Sequence, residues 1–207
     1  DDDDNALVGL DARVKLTDHL YLYGQYAMDD PANDRTAWQA GARCFNLFGA
    51  DLSVQAEYNS ASPYTYSHRT SLVNYGHYGQ PLAHPLGAYF NEAVAIIDWR
   101  LRLRNGKRFM TTLKVNLIDT HVEPTDSLSL GSDPFKPIPA TAPTFAPLDR
   151  SVTFVDASAS WLWNQMTDLR LTVGYRYRDI TNAPDFLNSG YVYFAFQTGL
   201  FNKYYDR

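Results

Sequence analysis

The stretch that decides the fold is EAVAIIDWRLRLRNG, residues 92–106. Read at a period of two, Ala93, Ala95, Ile97, Trp99, Leu101 and Leu103 fall on one side. Glu92, Asp98, Arg100, Arg102 and Arg104 fall on the other. A period of two is the side-chain period of an extended strand; a helix would scatter these residues around its axis. The segment is therefore a strand with different surroundings on its two faces. Asn105-Gly106 then closes it, and Asn-Gly is the strongest short hairpin signal. The pattern recurs outward in both directions. In LDARVKL (10–16), Leu10, Ala12, Val14 and Leu16 oppose Asp11, Arg13 and Lys15. In DLRLTVGYRYR (168–178), Leu169, Leu171, Val173, Tyr175 and Tyr177 oppose Arg170, Thr172, Gly174, Arg176 and Arg178.

Nine such segments are predicted, at about 6–16, 19–28, 36–46, 51–60, 90–104, 107–119, 152–163, 168–179 and 190–201. Several run to ten residues or more. Ordinary globular strands average ~5–6 residues, and tilted membrane-crossing strands need ~9–11. The connections alternate too. Short ones fall at 17–18, 46–50, 105–106 and 164–167, and long ones at 29–35, 61–89, 120–151 and 180–189. Every short turn thus lies at one end of the sheet and every long loop at the other. Outer-membrane barrels segregate short periplasmic turns from long extracellular loops in this way. A soluble lipocalin-like barrel also alternates, with its apolar side inward. Strand length, loop segregation and the aromatics near strand ends (Trp38, Trp99, Trp161, Trp163, Tyr175, Tyr177) favour the membrane.

The expected fold class is all-β: the C-terminal part of a large antiparallel transmembrane β-barrel in the bacterial outer membrane, in contact with lipid. Residues 1–207 form a single barrel segment, with 61–89 and 120–151 as its long extracellular loops. Parity sets the C-terminal placement. With short turns in the periplasm, the first and ninth strands both run inward from outside. Bacterial barrels start in the periplasm and have an even strand count. An odd number of strands is therefore expected to precede residue 1, with the opening DDDD in an extracellular loop. An open sheet edge is not tolerated inside lipid.

Composition narrows the function. A net charge of −5 leaves no basic footprint for nucleic acid. Cys44 is the single cysteine, so no internal disulfide forms. No apolar run reaches the length of a membrane-crossing helix. Neither G-x-S-x-G nor H-E-x-x-H occurs, so no enzyme, metal or cofactor chemistry is expected. His68, His77 and His84 lie in one loop near Glu92, at spacings that do not match a zinc site.

The loop itself is unusual. SPYTYSH (62–68) and NYGHYGQPLAHPLGA (74–88), followed by Glu92, combine tyrosines, histidines and rigid prolines. This string resembles a motif of Wzi-like capsule-assembly outer-membrane proteins, more closely their Bacteroidetes relatives of the gliding motility protein RemB kind. The chain's end, TDLRLTVGYRYR (167–178) and GLFNKYYDR (199–207), is similar too, so the resemblance covers roughly 52–104 and 167–207. Arg207 departs from the terminal phenylalanine common in outer-membrane proteins. The resemblance implies a cell-surface barrel linked to holding capsular polysaccharide or to adhesion in gliding. It supplies no residue-level site.

The residues suggest two sites. Tyr64, Tyr66, Tyr75 and Tyr78 offer flat apolar faces, and His68, Asn74, His77 and Gln80 add donors and acceptors. Sugar rings match such a surface. The alternative is that the loop folds into or over the barrel mouth and the tyrosines pack there. Arg100, Arg102, Arg170, Arg176, Arg178 and Asp98 lie on polar strand faces. They would line a lumen, either to hold an anionic polymer or to pair across strands. The loop 120–151, with six prolines, reads as extended and anchored by Phe135 and Phe145. The expected function is binding of polysaccharide or an extracellular surface through the loops. The alternatives are an accessory barrel subunit of a motility or secretion assembly, with protein partners, and a porin-like channel.

Overall fold

The nine predicted strands form one antiparallel sheet in the computed structural model, which describes residues 6–30, 34–125, 129–181 and 187–199. The opening DDDD, the end of the ninth predicted strand and residues 200–207 of the closing segment lie outside the described residues. The elements are β1 (Val8–Lys15), β2 (Leu20–Asp30), β3 (Arg35–Cys44), β4 (Leu52–Ala61), the two-residue β5 (Gly76–His77) and β6 (Gln80–Pro81), β7 (Phe90–Arg102), β8 (Arg108–Val122), β9 (Leu148–Asn164), β10 (Leu169–Thr181) and β11 (Leu187–Gln197). The large sheet runs β1-β2-β3-β4-β7-β8-β9-β10-β11, each strand beside its chain neighbour, and β5-β6 is a separate hairpin. Among the described residues β1 and β11 are the two edges of the sheet and do not pair with each other.

Register carries the alternation across all nine strands. Leu22, Val54, Ile97, Leu113, Val155, Val173, Val192 and Phe194 share one face. That face is uncovered, and Phe194 is 83% exposed. Nine strands at a spacing of ~4.8 Å make it roughly 40 Å wide. A soluble monomer rarely leaves an apolar patch beyond a few hundred Å² in water. Trp38 stacks on Tyr58 on this face at 5.3 Å. At the short-turn end Trp161 stacks on Trp163 at 5.3 Å, and Trp99 donates through Nε1 to the Ala50 carbonyl at 3.0 Å.

The opposite face is hydrogen-bonded across strands. Tyr23 on β2 lies over Gly41 on β3 and donates to Glu57 on β4 at 2.6 Å. Tyr193 on β11 lies over Gly174 on β10 and donates to Asp156 on β9 at 3.0 Å. In each case the missing Cβ makes room for a ring, so a tyrosine reaches an acid two strands away.

Towards the long-loop end this face changes character. Its register row there is Gly9, Ala27, Ala37, Ala61 and Phe90, small or apolar residues on an otherwise polar side. Ala37, Ala61 and Phe90 form the core with Tyr66 and Ala88 of the first long loop. The loop therefore folds back over the polar face, and the small residues let it approach.

Two details differ from expectation. The β8–β9 pairing extends to Val122 and Leu148, beyond the alternating segment. Polar contacts sustain it there: His121 lies 3.3 Å from Asp149, and Tyr89 stacks on the His121 ring. The Asn105-Gly106 connection is not a two-residue turn. The strands stop at Arg102 and resume at Arg108, and of the pair only Gly106 takes a positive φ, 82°. A longer turn closed by a left-handed glycine is the next commonest hairpin solution.

Candidate functional site

The two long loops make one cap. Residues 62–67 are fastened to the tops of β2 and β3. The Tyr66 amide donates to Asp29 Oδ2 at 2.8 Å, the Thr36 amide to Ser62 Oγ at 2.9 Å, and Thr65 and Ser67 are fully buried. The second loop then binds the first. The Tyr64 amide donates to the Gly131 carbonyl at 2.9 Å, its hydroxyl to the Ser129 carbonyl at 3.0 Å, and the Ile138 amide to the His68 carbonyl at 3.0 Å. Phe135 packs where a side chain on Gly76 would otherwise stand. Glu123 ties the second loop to its own strand by accepting the Leu130 amide at 3.0 Å and by pairing with Lys136. Of the two expected anchors, Phe135 is packed and Phe145 is not, being 62% exposed.

A buried polar cluster fixes the cap to the sheet. Glu92 on β7 accepts from Asn59 Nδ2 at 3.0 Å and Asn116 Nδ2 at 2.6 Å. His84 of the first loop reaches the same carboxylate at 3.1 Å and stacks on Phe90. A buried carboxylate is tolerable only when so partnered. His68 and His77 stand apart from it, and among the described residues no His, Cys, Asp and Glu group is arranged for a metal.

The structure divides the eight loop residues expected to contact ligand. Tyr66 is 5% exposed and stacks on Tyr75. Burial, with the Asp29 charge and Tyr75 beside it, pushes its hydroxyl up to about 12. Tyr64 is half-buried, and burial raises its hydroxyl too. His68 and Asn74 are half-buried, and His68 Nδ1 accepts the Thr70 amide. These four are built into the cap, and Tyr66 also lines the space beneath it. Tyr75, His77, Tyr78 and Gln80 are exposed. The last three sit on the β5–β6 hairpin, whose central pair Tyr78-Gly79 has φ 49° and 71°. Positive φ at both positions is a type I′ turn, which normally takes Asn, Asp or Gly first. Tyr78 takes the left-handed conformation while 93% exposed, with only the neighbouring His77 ring against it. Neither packing nor backbone preference accounts for a tyrosine there.

The six expected lumen charges all lie on the polar face. Arg176 pairs with Asp156 and sits over the rings of Phe154, Tyr191 and Tyr193. Arg170 pairs with Asp168, and Asp98 accepts from Thr112 at 2.7 Å. Arg100, Arg102 and Arg178 are exposed. No family model matches the chain, and no curated protein or solved structure matches it. The site therefore rests on its own geometry.

One arrangement was not legible in the sequence. Asp11, Gln25, Gln39, Asn59 and Glu92 are direct register neighbours across five strands. Each is only a polar residue in its own strand. Their alignment depends on the offsets between strands, which the alternation of one strand does not contain.

Proposed function

We propose that this chain is part of the wall and the outer cap of a bacterial outer-membrane β-barrel that holds polysaccharide at the cell surface. The observation that carries the reading is the uncovered apolar face running over nine strands opposite a hydrogen-bonded polar one. Lipid is the solvent such a face fits, and aromatic residues belong near the ends of such strands. The sheet edges at β1 and β11 then need further strands beside them, because unpaired backbone in hydrocarbon costs several kcal/mol per group. On this reading the long loops, and the cap they form, face the outside of the cell. The SPYTYSH and NYGHYGQPLAHPLGA segments, which resemble those of capsule-assembly and gliding-motility barrels, make up much of that cap.

The hairpin tip is the contact to the polymer. Tyr78 presents an aromatic face to solvent at a conformational cost of ~1–2 kcal/mol. Exposed aromatics on a rigid support are how sugar faces are gripped. The test has two parts. The protein should fractionate with the outer membrane, and Tyr78→Asn, a better residue for the turn, should lower the polysaccharide retained by whole cells. Recovery as a soluble protein, or unchanged retention with the whole hairpin removed, contradicts the proposal. Leu72, 89% exposed, and Phe145 favour a second reading, in which the cap docks on a protein of a motility or secretion assembly.

A further inference from the structure

Beneath the cap lies a cavity of about 500 Å³ between the first long loop and the polar face of β1 to β4. Its floor includes Asp11, Gln25, Gln39 and Asn59 from the register row described above. Its roof includes Tyr66 and Tyr75, stacked on one another with ring centroids 5.8 Å apart. Three strand spacings of ~4.8 Å separate Asp11 from Asn59, so the polar floor is about 14 Å long. That is the length of a short oligosaccharide rather than of a single ion or cofactor headgroup.

The floor is graded. Asn59 is 4% exposed and locked, since its amide donates to both Glu57 and Glu92. Gln39 is half-buried, and Gln25 and Asp11 are open. The side chains of Asp11, Gln25 and Gln39 make no hydrogen bond within the described residues, whereas those on either side along the face are engaged. Tyr23, Gln55 and Glu57 bond to one another. Asn59 and Glu92 hold each other. A row of free amides and a carboxylate below, with aromatic rings above, offers hydrogen bonds to a polyol on one side and a flat apolar surface on the other.

The charge of the cavity chooses among polyols. No lysine or arginine lines it, the lining His84 is turned to Glu92 at 3.1 Å, and Asp11 is the formal anion facing it. A carboxylate or sulfate on a sugar would meet repulsion here and no guanidinium to offset it. We propose that this cavity is a glycan-binding site selective for neutral sugars, with Gln25 and Gln39 as its hydrogen-bonding floor and the Tyr66–Tyr75 pair as its roof. The inference rests on the polysaccharide reading and adds to it a second site, distinct from the exposed hairpin tip, and a ligand class.

The test uses the whole protein in detergent and two probe panels. One holds neutral malto-, cello-, manno- and chito-oligosaccharides, and the other holds oligogalacturonate and hyaluronan oligosaccharides. Binding is read by calorimetry and by saturation-transfer nuclear magnetic resonance. The expected result is binding of at least one neutral oligosaccharide and none of the acidic ones. Affinity should fall at least tenfold in Gln25→Leu/Gln39→Leu and in the near-isosteric Gln39→Glu. Near-ultraviolet dichroism checks that each variant retains its aromatic packing, and Gln39→Glu decides if the double variant does not fold. Equal neutral binding by the floor variants overturns the site, as does binding of acidic oligosaccharides alone; both leave the polysaccharide reading standing. Failure of both panels overturns the site and the polysaccharide reading together.

Discussion

Two tyrosines show most clearly how single residues shape the polar face. Tyr23 and Tyr193 each cross a glycine to reach an acid, and a Cβ at Gly41 or Gly174 would overlap the ring. Alanine at either position should therefore destabilise by about 1–3 kcal/mol, the usual cost of overpacking. Gly9→Ala, where the nearest atom is an ordinary 3.7 Å away, should be close to neutral. Urea unfolding in lipid vesicles followed by tryptophan fluorescence measures the difference. Tyr66 makes a prediction in pH. Its hydroxyl titrates at about 12 in the folded cap and near 10 when unfolded. The fold thus prefers the neutral form, so its contribution is intact below pH 10 and is lost as pH rises from 10 to 12. The near-ultraviolet dichroism of the cap should change across that window, and Tyr66→Phe should reduce the change.

At the scale of elements, the cap is tied to the sheet by a few buried polar groups. Glu92→Leu would leave the Asn116 amide without its acceptor, at ~1–3 kcal/mol, take one of the two acceptors of the Asn59 amide, and release His84. Trypsin should then cut faster at the exposed Arg69, while far-ultraviolet dichroism stays unchanged because the strand ladders do not depend on Glu92. Unchanged cutting would show that the bonds of residues 62–67 and of the second loop hold the cap without Glu92. The strands themselves were legible in the sequence because alternation at a period of two is a local property. The residues of EAVAIIDWRLR that the alternation assigns to a face lie on that face in the register, although Val94 and Ile96 put apolar side chains on the polar side. The inward fold of the first loop was one of two open readings, since Ala27, Ala37 and Ala61 look like interruptions of a polar face until the loop is seen on them. Less was legible where register or long-range contact decides. The bond from Tyr64 to Gly131 joins two loops that no local pattern connects, and the amide row appears only when four strands are aligned.

For the whole molecule the account stands on one claim, that the apolar face meets lipid. An arginine on it should be costly: Val115→Arg, at mid-strand on that face, should lower folding stability in a bilayer by ~2–4 kcal/mol. Lys114→Arg, one residue away on the opposite face, should leave it nearly unchanged. The most direct measurement is a nitroxide scan of residues 112–117 on β8, in a Cys44→Ser background, with the protein folded into lipid vesicles. Collision with oxygen, which concentrates in hydrocarbon, should peak at 113, 115 and 117. Collision with a water-soluble nickel chelate should be lowest at those positions and higher at 112 and 114, Asn116 being shielded in the Glu92 cluster. Alternation in that phase places the apolar face in the membrane. Alternation in the opposite phase, or equal access of the chelate to all six positions, would contradict the account.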